Sequence, residues 1–174
     1  MKKLFTTILL VTALLLANVA SAGYRAEYKA KYPPRVTVKT AQNEAGKMVT
    51  TETYKLFFHK YFTLEVVITD DYRYALISYR YHDKPLRIYE GFTCGDGNRS
   101  YTLPLFYDPI RDVHNGYVTE IIASEINPTE FKKNVIVHAH SKYGGSQVMI
   151  ASADPAWPVW LAALEDAEKL LADK

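Results

Sequence analysis

Two histidines one residue apart, His138 and His140, are the side chains in this 174-residue chain whose type and spacing point most directly to chemistry. In a β-strand, residues i and i+2 project from one face, so both imidazoles could reach a single divalent transition metal. A complete site needs further ligands, and His59, His82, His114, Asp108 or Asp112 could supply them only where the fold brings one close. The plainer reading places Val135, Val137 and Ala139 inward and leaves both histidines on a solvated face.

Other constellations are weaker. Asp96, Asn98 and Ser100 occupy positions one, three and five of a calcium-type loop. Tyr101 stands where that loop needs glycine and Tyr107 where it needs glutamate, so a plain Gly-Asp-Gly-Asn turn is the simpler reading. Asn98-Arg99-Ser100 is formally a glycosylation sequon. Cys94 is the single cysteine, which excludes an intramolecular disulfide. In an exported chain it is either a buried thiol or one that pairs with a second chain. No G-x-S-x-G, Walker-type or dinucleotide-type glycine loop occurs, and the strand segments carry no paired carboxylates. A hydrolase would need a cleft around Asp108, Asp112 and His114, so the chain reads as non-catalytic. It carries no cofactor motif, a divalent metal at His138 and His140 being the one candidate.

Tyrosine dominates the composition, with fourteen residues. Along Tyr72–His82, Tyr72, Tyr74, Leu76, Ser78, Arg80 and His82 share one face of a strand, and Arg73, Ala75, Ile77, Tyr79 and Tyr81 share the other. Neither face is purely polar. Tyrosine and arginine are enriched at interfaces, so Tyr72, Tyr74, Arg80 and His82 form a candidate binding surface.

The elements that must position these residues read as β-strands. Phe62–Thr69 alternates, with Phe62, Leu64, Val66 and Ile68 on one face. Tyr72–His82, Leu86–Thr93 and Ser100–Tyr107 follow as a meander, punctuated by Asp70-Asp71, His82–Pro85 and Cys94–Asn98. Arg35–Thr40 alternates as an earlier strand. Tyr54–Phe62 fits a helical stripe as well as a strand, and is read as a strand bent near His59-Lys60. Asp108–Gly116 reads as a loop that ends on the hairpin signal Asn115-Gly116. Val118–Ile126 suits helix and strand alike, up to Asn127-Pro128. Val135–His140 and Gln147–Ser152 form a hairpin around Lys142–Gly145. Residues 155–172 form the one clear helix, capped by Asp154 and anchored by Trp157, Trp160, Leu161, Leu164 and Leu171.

Residues 1–22 read as a bacterial-type secretory signal peptide. Lys2 and Lys3 form its charged region, Leu4–Leu16 its apolar run and Ala20-Ser21-Ala22 its cleavage site. Residues 23–34, with Pro33-Pro34, form an extended leader, and 35–174 a single β-rich domain. Without Lys2 and Lys3 the 21 basic residues fall to 19, against 19 acidic, which gives no reason to propose nucleic acid as a partner. The sequence therefore predicts an α+β fold: a mainly antiparallel sheet or partly closed barrel with one amphipathic C-terminal helix. It predicts a periplasmic or secreted binding or interaction protein, of the inhibitor, immunity-type or envelope accessory kind. The partner is a protein or envelope component, and no membrane span remains after signal cleavage. A ligand- or metal-binding barrel is the alternative.

Overall fold

In the computed structural model, residues 26–27, 29–30, 33–59, 61–144 and 147–173 are described. The expected signal peptide lies outside them. The chain divides into residues 1–33 and 34–174. In the first unit Ala26, Glu27, Lys29 and Ala30 are helical, where the sequence suggests an extended leader. Among the described residues, no helix is long and apolar enough to cross a membrane.

The second unit is mostly antiparallel β-sheet with a C-terminal helix, as the alternation predicts. Its strands are β1 (Arg35–Gln42), β2 (Met48–His59), β3 (Phe62–Ile68), β4 (Arg73–Asp83), β5 (Tyr89–Gly95), β6 (Ser100–Leu103), β7 (Ile110–His114), β8 (Tyr117–Ile126), β9 (Ile136–Ser141) and β10 (Gln147–Ala151). A single helical turn, α1 (Pro128–Phe131), and a longer helix, α2 (Trp157–Ala172), complete it. The strands form a curled six-stranded sheet in the order β1-β2-β3-β4-β8-β7 and a four-stranded sheet in the order β10-β9-β5-β6.

Local chemistry sets the turns. Asn115 and Gly116 both have positive φ, 51° and 76°, the geometry of a two-residue hairpin turn between β7 and β8. Thr69 Oγ1 accepts from the N–H groups of Asp71 and Tyr72 at the β3–β4 turn. Asp96 Oδ1 accepts from Asn98 N and Arg99 N, each at 2.8 Å, at the β5–β6 turn. Those bonds hold the Asp96 carboxyl below its ordinary range, Arg99 N contributing most. The carboxylate thus organises a turn.

Tyr54–His59 is strand, as the sequence reading has it, and belongs to β2, which pairs with β3 as a hairpin from His59↔Phe62 to Glu52↔Ile68. Other expectations are resolved or corrected. Val118–Ile126 is strand, and Ile110–His114, read as loop, pairs with it as β7. The meander does not stay in one sheet: β4 belongs to the six-stranded sheet and β5 to the four-stranded one. Residues 84–88 make that crossing, so the third strand begins at Tyr89 instead of Leu86. Ile88 there has φ +53°, a region that a β-branched side chain enters only under constraint.

The constraint is Glu120. It projects inward from β8 with no exposed surface. Its Oε2 accepts from Arg87 N at 3.1 Å and Ile88 N at 2.9 Å. Its Oε1 accepts from Tyr89 N at 3.3 Å and Arg111 Nε at 2.9 Å. Tyr81 Oη adds a bond to Pro85 O at 2.8 Å. A buried carboxylate is tolerated only when its oxygens are satisfied, and here three backbone donors and a guanidinium do so.

The core lies between the inner face of the six-stranded sheet, the four-stranded sheet and α2. Phe57, Leu64, Ile77, Tyr79, Phe92, Ile122, Ile150, Trp160 and Leu164 are fully buried. The Tyr79 ring packs at a tilt against Phe62 and Tyr89 with centroids 4.5 and 4.8 Å apart, and the Tyr79 and Tyr89 hydroxyls lie 3.2 Å from each other. Burial, followed by the Tyr89 hydroxyl, pushes the Tyr79 phenol far above its ordinary value. Helix α2 packs across β2, β3 and β4, with Trp160 edge-on to Phe57 and Phe131. It starts at Trp157, two residues later than expected. Asp154 does not cap it; its Oδ1 accepts from Ala156 N in the preceding turn. Trp157, Leu161 and Leu171 are half-buried flanks, while Val159, Ala163 and Ala167 join Trp160 inside.

Replacing Glu120 by alanine strands three backbone donors and Arg111, so it is expected to lower unfolding free energy by about 3–5 kcal/mol in denaturant titration. Arg111→Leu leaves the buried carboxylate its backbone donors but removes its countercharge, and should cost about 2–3 kcal/mol. A loss below about 1 kcal/mol for Glu120→Ala would show that the crossover is held by other means.

Candidate binding surface

The outer face of β4 carries Tyr74, Leu76, Ser78, Arg80 and His82, with Tyr72 just ahead of the strand, as period-two alternation requires, because Ala75, Ile77, Tyr79 and Tyr81 are buried on the other face. The structure does not gather the four candidate residues into one patch. The connection 104–109 between β6 and β7 runs along this face. Phe106 N donates to Ala123 O at 2.8 Å, and the Phe106 ring lies 5.0 Å from that of Tyr74. Burial, followed by the nearby Glu65 carboxylate of β3, raises the Tyr107 phenol above its ordinary value. Val67, Leu76 and Ala123 are buried on this side of the sheet. The strand is therefore covered at its middle and open at both ends.

At one end Tyr72 stacks on Tyr74 at 5.7 Å, Tyr74 meets Phe106, and Phe106 lies edge-on to Tyr107 at 6.2 Å. Tyr72 is 55 % exposed and Phe106 42 %. Of these rings Tyr74 lines a cleft of about 620 Å³, whose walls also include Arg73, Glu125, Asn127, Thr129 and Glu168. A second cleft of about 370 Å³, with Tyr101, Glu130 and Lys133, shares Glu125 and Asn127 with the first. Asn127 holds this region by capping α1, its Oδ1 accepting from Thr129 N and Glu130 N. Arg73 is committed to the end of α2, donating to Leu170 O at 3.2 Å. Glu168 is bonded to Lys132 Nζ at 2.5 Å and Thr129 Oγ1 at 2.7 Å, and Lys132 first, then Thr129, holds its carboxyl below the ordinary range. Glu125, by contrast, has no ion-pair partner among the described residues. Burial raises the Tyr74 phenol, and Tyr72 and Glu125 add to the shift.

At the other end, Arg80 and His82 border a third cleft of about 390 Å³ with Lys55, Phe58, Tyr61 and Thr63. His82 stacks on Tyr117 at 5.3 Å with an 11° tilt, and its Nδ1 lies 2.8 Å from Thr119 Oγ1. Tyr74 and Arg80 are six residues apart on one strand, about 20 Å.

His138 and His140 share the outward face of β9, with Val137, Ala139 and Ser141 inward. His138 Nδ1 is enclosed and has no hydrogen-bond partner, and His140 Nε2 lies 3.9 Å from Glu90 Oε2. Among the described residues, no group of three or more histidine, cysteine or carboxylate side chains is placed to hold a metal ion. Asp112 and His114 are exposed on β7, Asp108 is exposed in the loop before it, and all three stand outside the three clefts above.

Phe106, Tyr107 and Glu125 are absent from the sequence-derived surface. Two aromatics enclosed between Pro104 and Pro109 were the available signal, because prolines there end the strand and leave the rings in a connection. A scan of protein-family models, a search of curated proteins and a search of solved structures each find no match to this chain.

Cys94 is 1 % exposed, and burial pushes its thiol from an ordinary 9.0 up to about 12. A raised value means that the folded thiol keeps its proton where the unfolded one loses it. Its contribution to stability is thus complete below pH 9.0 and is lost as pH rises towards about 12. Native protein at pH 8 is expected to resist thiol-specific alkylation, and denatured protein to react fully, as read by mass spectrometry. Rapid native labelling would show an accessible thiolate.

Proposed function

We propose that this chain is an exported, non-catalytic interaction protein that holds a protein partner on the outer face of the six-stranded sheet, with a basic side chain of the partner seated between Tyr74 and Glu125. The observation that carries this reading is the part-exposed row Tyr72–Tyr74–Phe106–Tyr107 beside Glu125, a carboxylate with no ion-pair partner among the described residues. Aromatic rings supply contact area with few rotamers to fix, and a ring next to a carboxylate is a receptor for a lysine or arginine head group. The prolonged apolar run and A-x-A sequence at residues 1–22 support export. Arg80 and His82 then serve as a polar margin at the far end of the same strand.

A photo-crosslinking residue at Tyr72, in protein expressed from the whole chain in its producing cell, is expected to yield one dominant protein adduct. Glu125→Lys and Tyr74→Ala should each reduce that adduct about tenfold. An adduct unchanged by both substitutions, or none at all, would overturn the reading.

A second reading keeps a divalent metal at His138 and His140. It is favoured by the enclosed, unpartnered Nδ1 of His138 and by Glu90 beside His140. It predicts a stoichiometric transition metal in natively purified protein and a chelator-sensitive melting temperature, both abolished by His138→Ala. Metal at background level and no chelator effect would dismiss it.

A further inference from the structure

The six-stranded sheet ends in two edge strands of unlike character. β7 is five residues long, whereas β1 has eight, all exposed, and pairs with β2 in unbroken register from Arg35↔Lys55 to Gln42↔Met48. Edge strands are ordinarily protected by brevity, charged side chains, proline, a bulge or a covering element, and of these β1 carries only the charges of Arg35 and Lys39, which oppose a basic neighbour and admit an acidic one. The β1 segment has no proline and no bulge, and among the described residues no strand pairs with its other side, which presents a row of backbone donors and acceptors. Its side chains are sorted by face. Val36 and Val38, 55 % and 58 % exposed, lie on the side continuous with the core, opposite Tyr54 and Glu52. Arg35, Thr37 and Lys39 lie on the other. Lys55, opposite Arg35, is engaged by Glu65 at 3.2 Å. Among the described residues, Arg35 and Lys39 have no carboxylate partner.

We infer that β1 is a strand-addition site for an extended acidic segment of a partner protein. An added strand meets Arg35 and Lys39 with residues four apart on one face, and Val36 and Val38 with residues two apart on the other. The recognised pattern is therefore acidic–apolar–any–apolar–acidic, which reads alike in parallel and antiparallel orientation. Main-chain hydrogen bonds supply the attachment and the two faces supply the selectivity. A second copy of β1 fits poorly. Every antiparallel register that keeps the valines on one face sets Arg35 or Lys39 directly or diagonally against a basic side chain of the copy. This surface is separate from the aromatic row on β4, with β2 and β3 between them.

The test uses a labelled, end-blocked peptide with the core Glu-Val-Thr-Val-Glu and its counterpart with lysine at both glutamates, titrated into the full chain by fluorescence anisotropy. The acidic peptide is expected to bind saturably and more weakly as salt rises, and to slow hydrogen exchange within residues 35–42. The double substitution Arg35→Glu/Lys39→Glu should weaken it about tenfold and transfer the preference to the lysine peptide. Tyr72→Ala/Phe106→Ala should leave it unchanged, which separates this site from the aromatic one. Absence of binding at millimolar peptide, or binding indifferent to Arg35→Glu/Lys39→Glu, would overturn the inference. So would a dimer in sedimentation that this substitution disperses, because the edge would then belong to a second copy.

Discussion

A carboxylate with no access to water sits where the two sheets of this protein separate, and the fold depends on how that carboxylate is satisfied. Glu120 accepts from three consecutive backbone amides, Arg87 to Tyr89, and from Arg111. Those amides lie in the segment that carries the chain from β4 to β5, and one of them belongs to a residue at φ +53°. Each partner removes an otherwise costly liability of the other: the carboxylate would be unpaired in the core, and the amides would be unpaired in a crossing with no ladder. The single interaction thus fixes where the meander leaves its first sheet. It also fixes where Tyr89 enters the core to meet Tyr79 and Tyr81.

The division of surfaces follows from that crossing. With β5 and β9 turned over the inner face, that face of the sheet closes against both the four-stranded layer and Trp160 of α2. The inner face of β4 is consumed by packing, which leaves its outer face for contact with other molecules. The 104–109 connection then divides that face, completing a ring row with Tyr72 and Tyr74 and separating it from Arg80 and His82. Neither the closing layer nor α2 reaches the far edge, where β1 stays exposed along its whole length.

Much of the local structure was legible because it obeys short-range rules. The alternation in Phe62–Ile68, the positive-φ pair Asn115-Gly116 and the apolar stripe of α2 each state their conformation within a few residues. The allocation of strands to sheets was not legible, since β4 and β5 alternate alike and a turn ending in Pro85 serves a hairpin or a crossing equally. Glu120 did carry a signal: it falls on the inward parity of Val118, Ile122 and Ile126. A carboxylate at a core position marks a buried partner. The surface was half visible. Strand parity placed Tyr72 and Tyr74 together, but Phe106 and Glu125 joined them through tertiary placement, and β1 reads from sequence as an ordinary strand because nothing local reveals that no described strand pairs with its second edge.

Native-state hydrogen exchange at the amides of Arg87, Ile88 and Tyr89 tests the central claim most directly. If the Glu120 carboxylate holds the crossing, these three amides exchange only through global unfolding, as slowly as those of the β3–β4 ladder, although they belong to a connection. Exchange at the rate of an open loop, with the core still protected, would contradict the account.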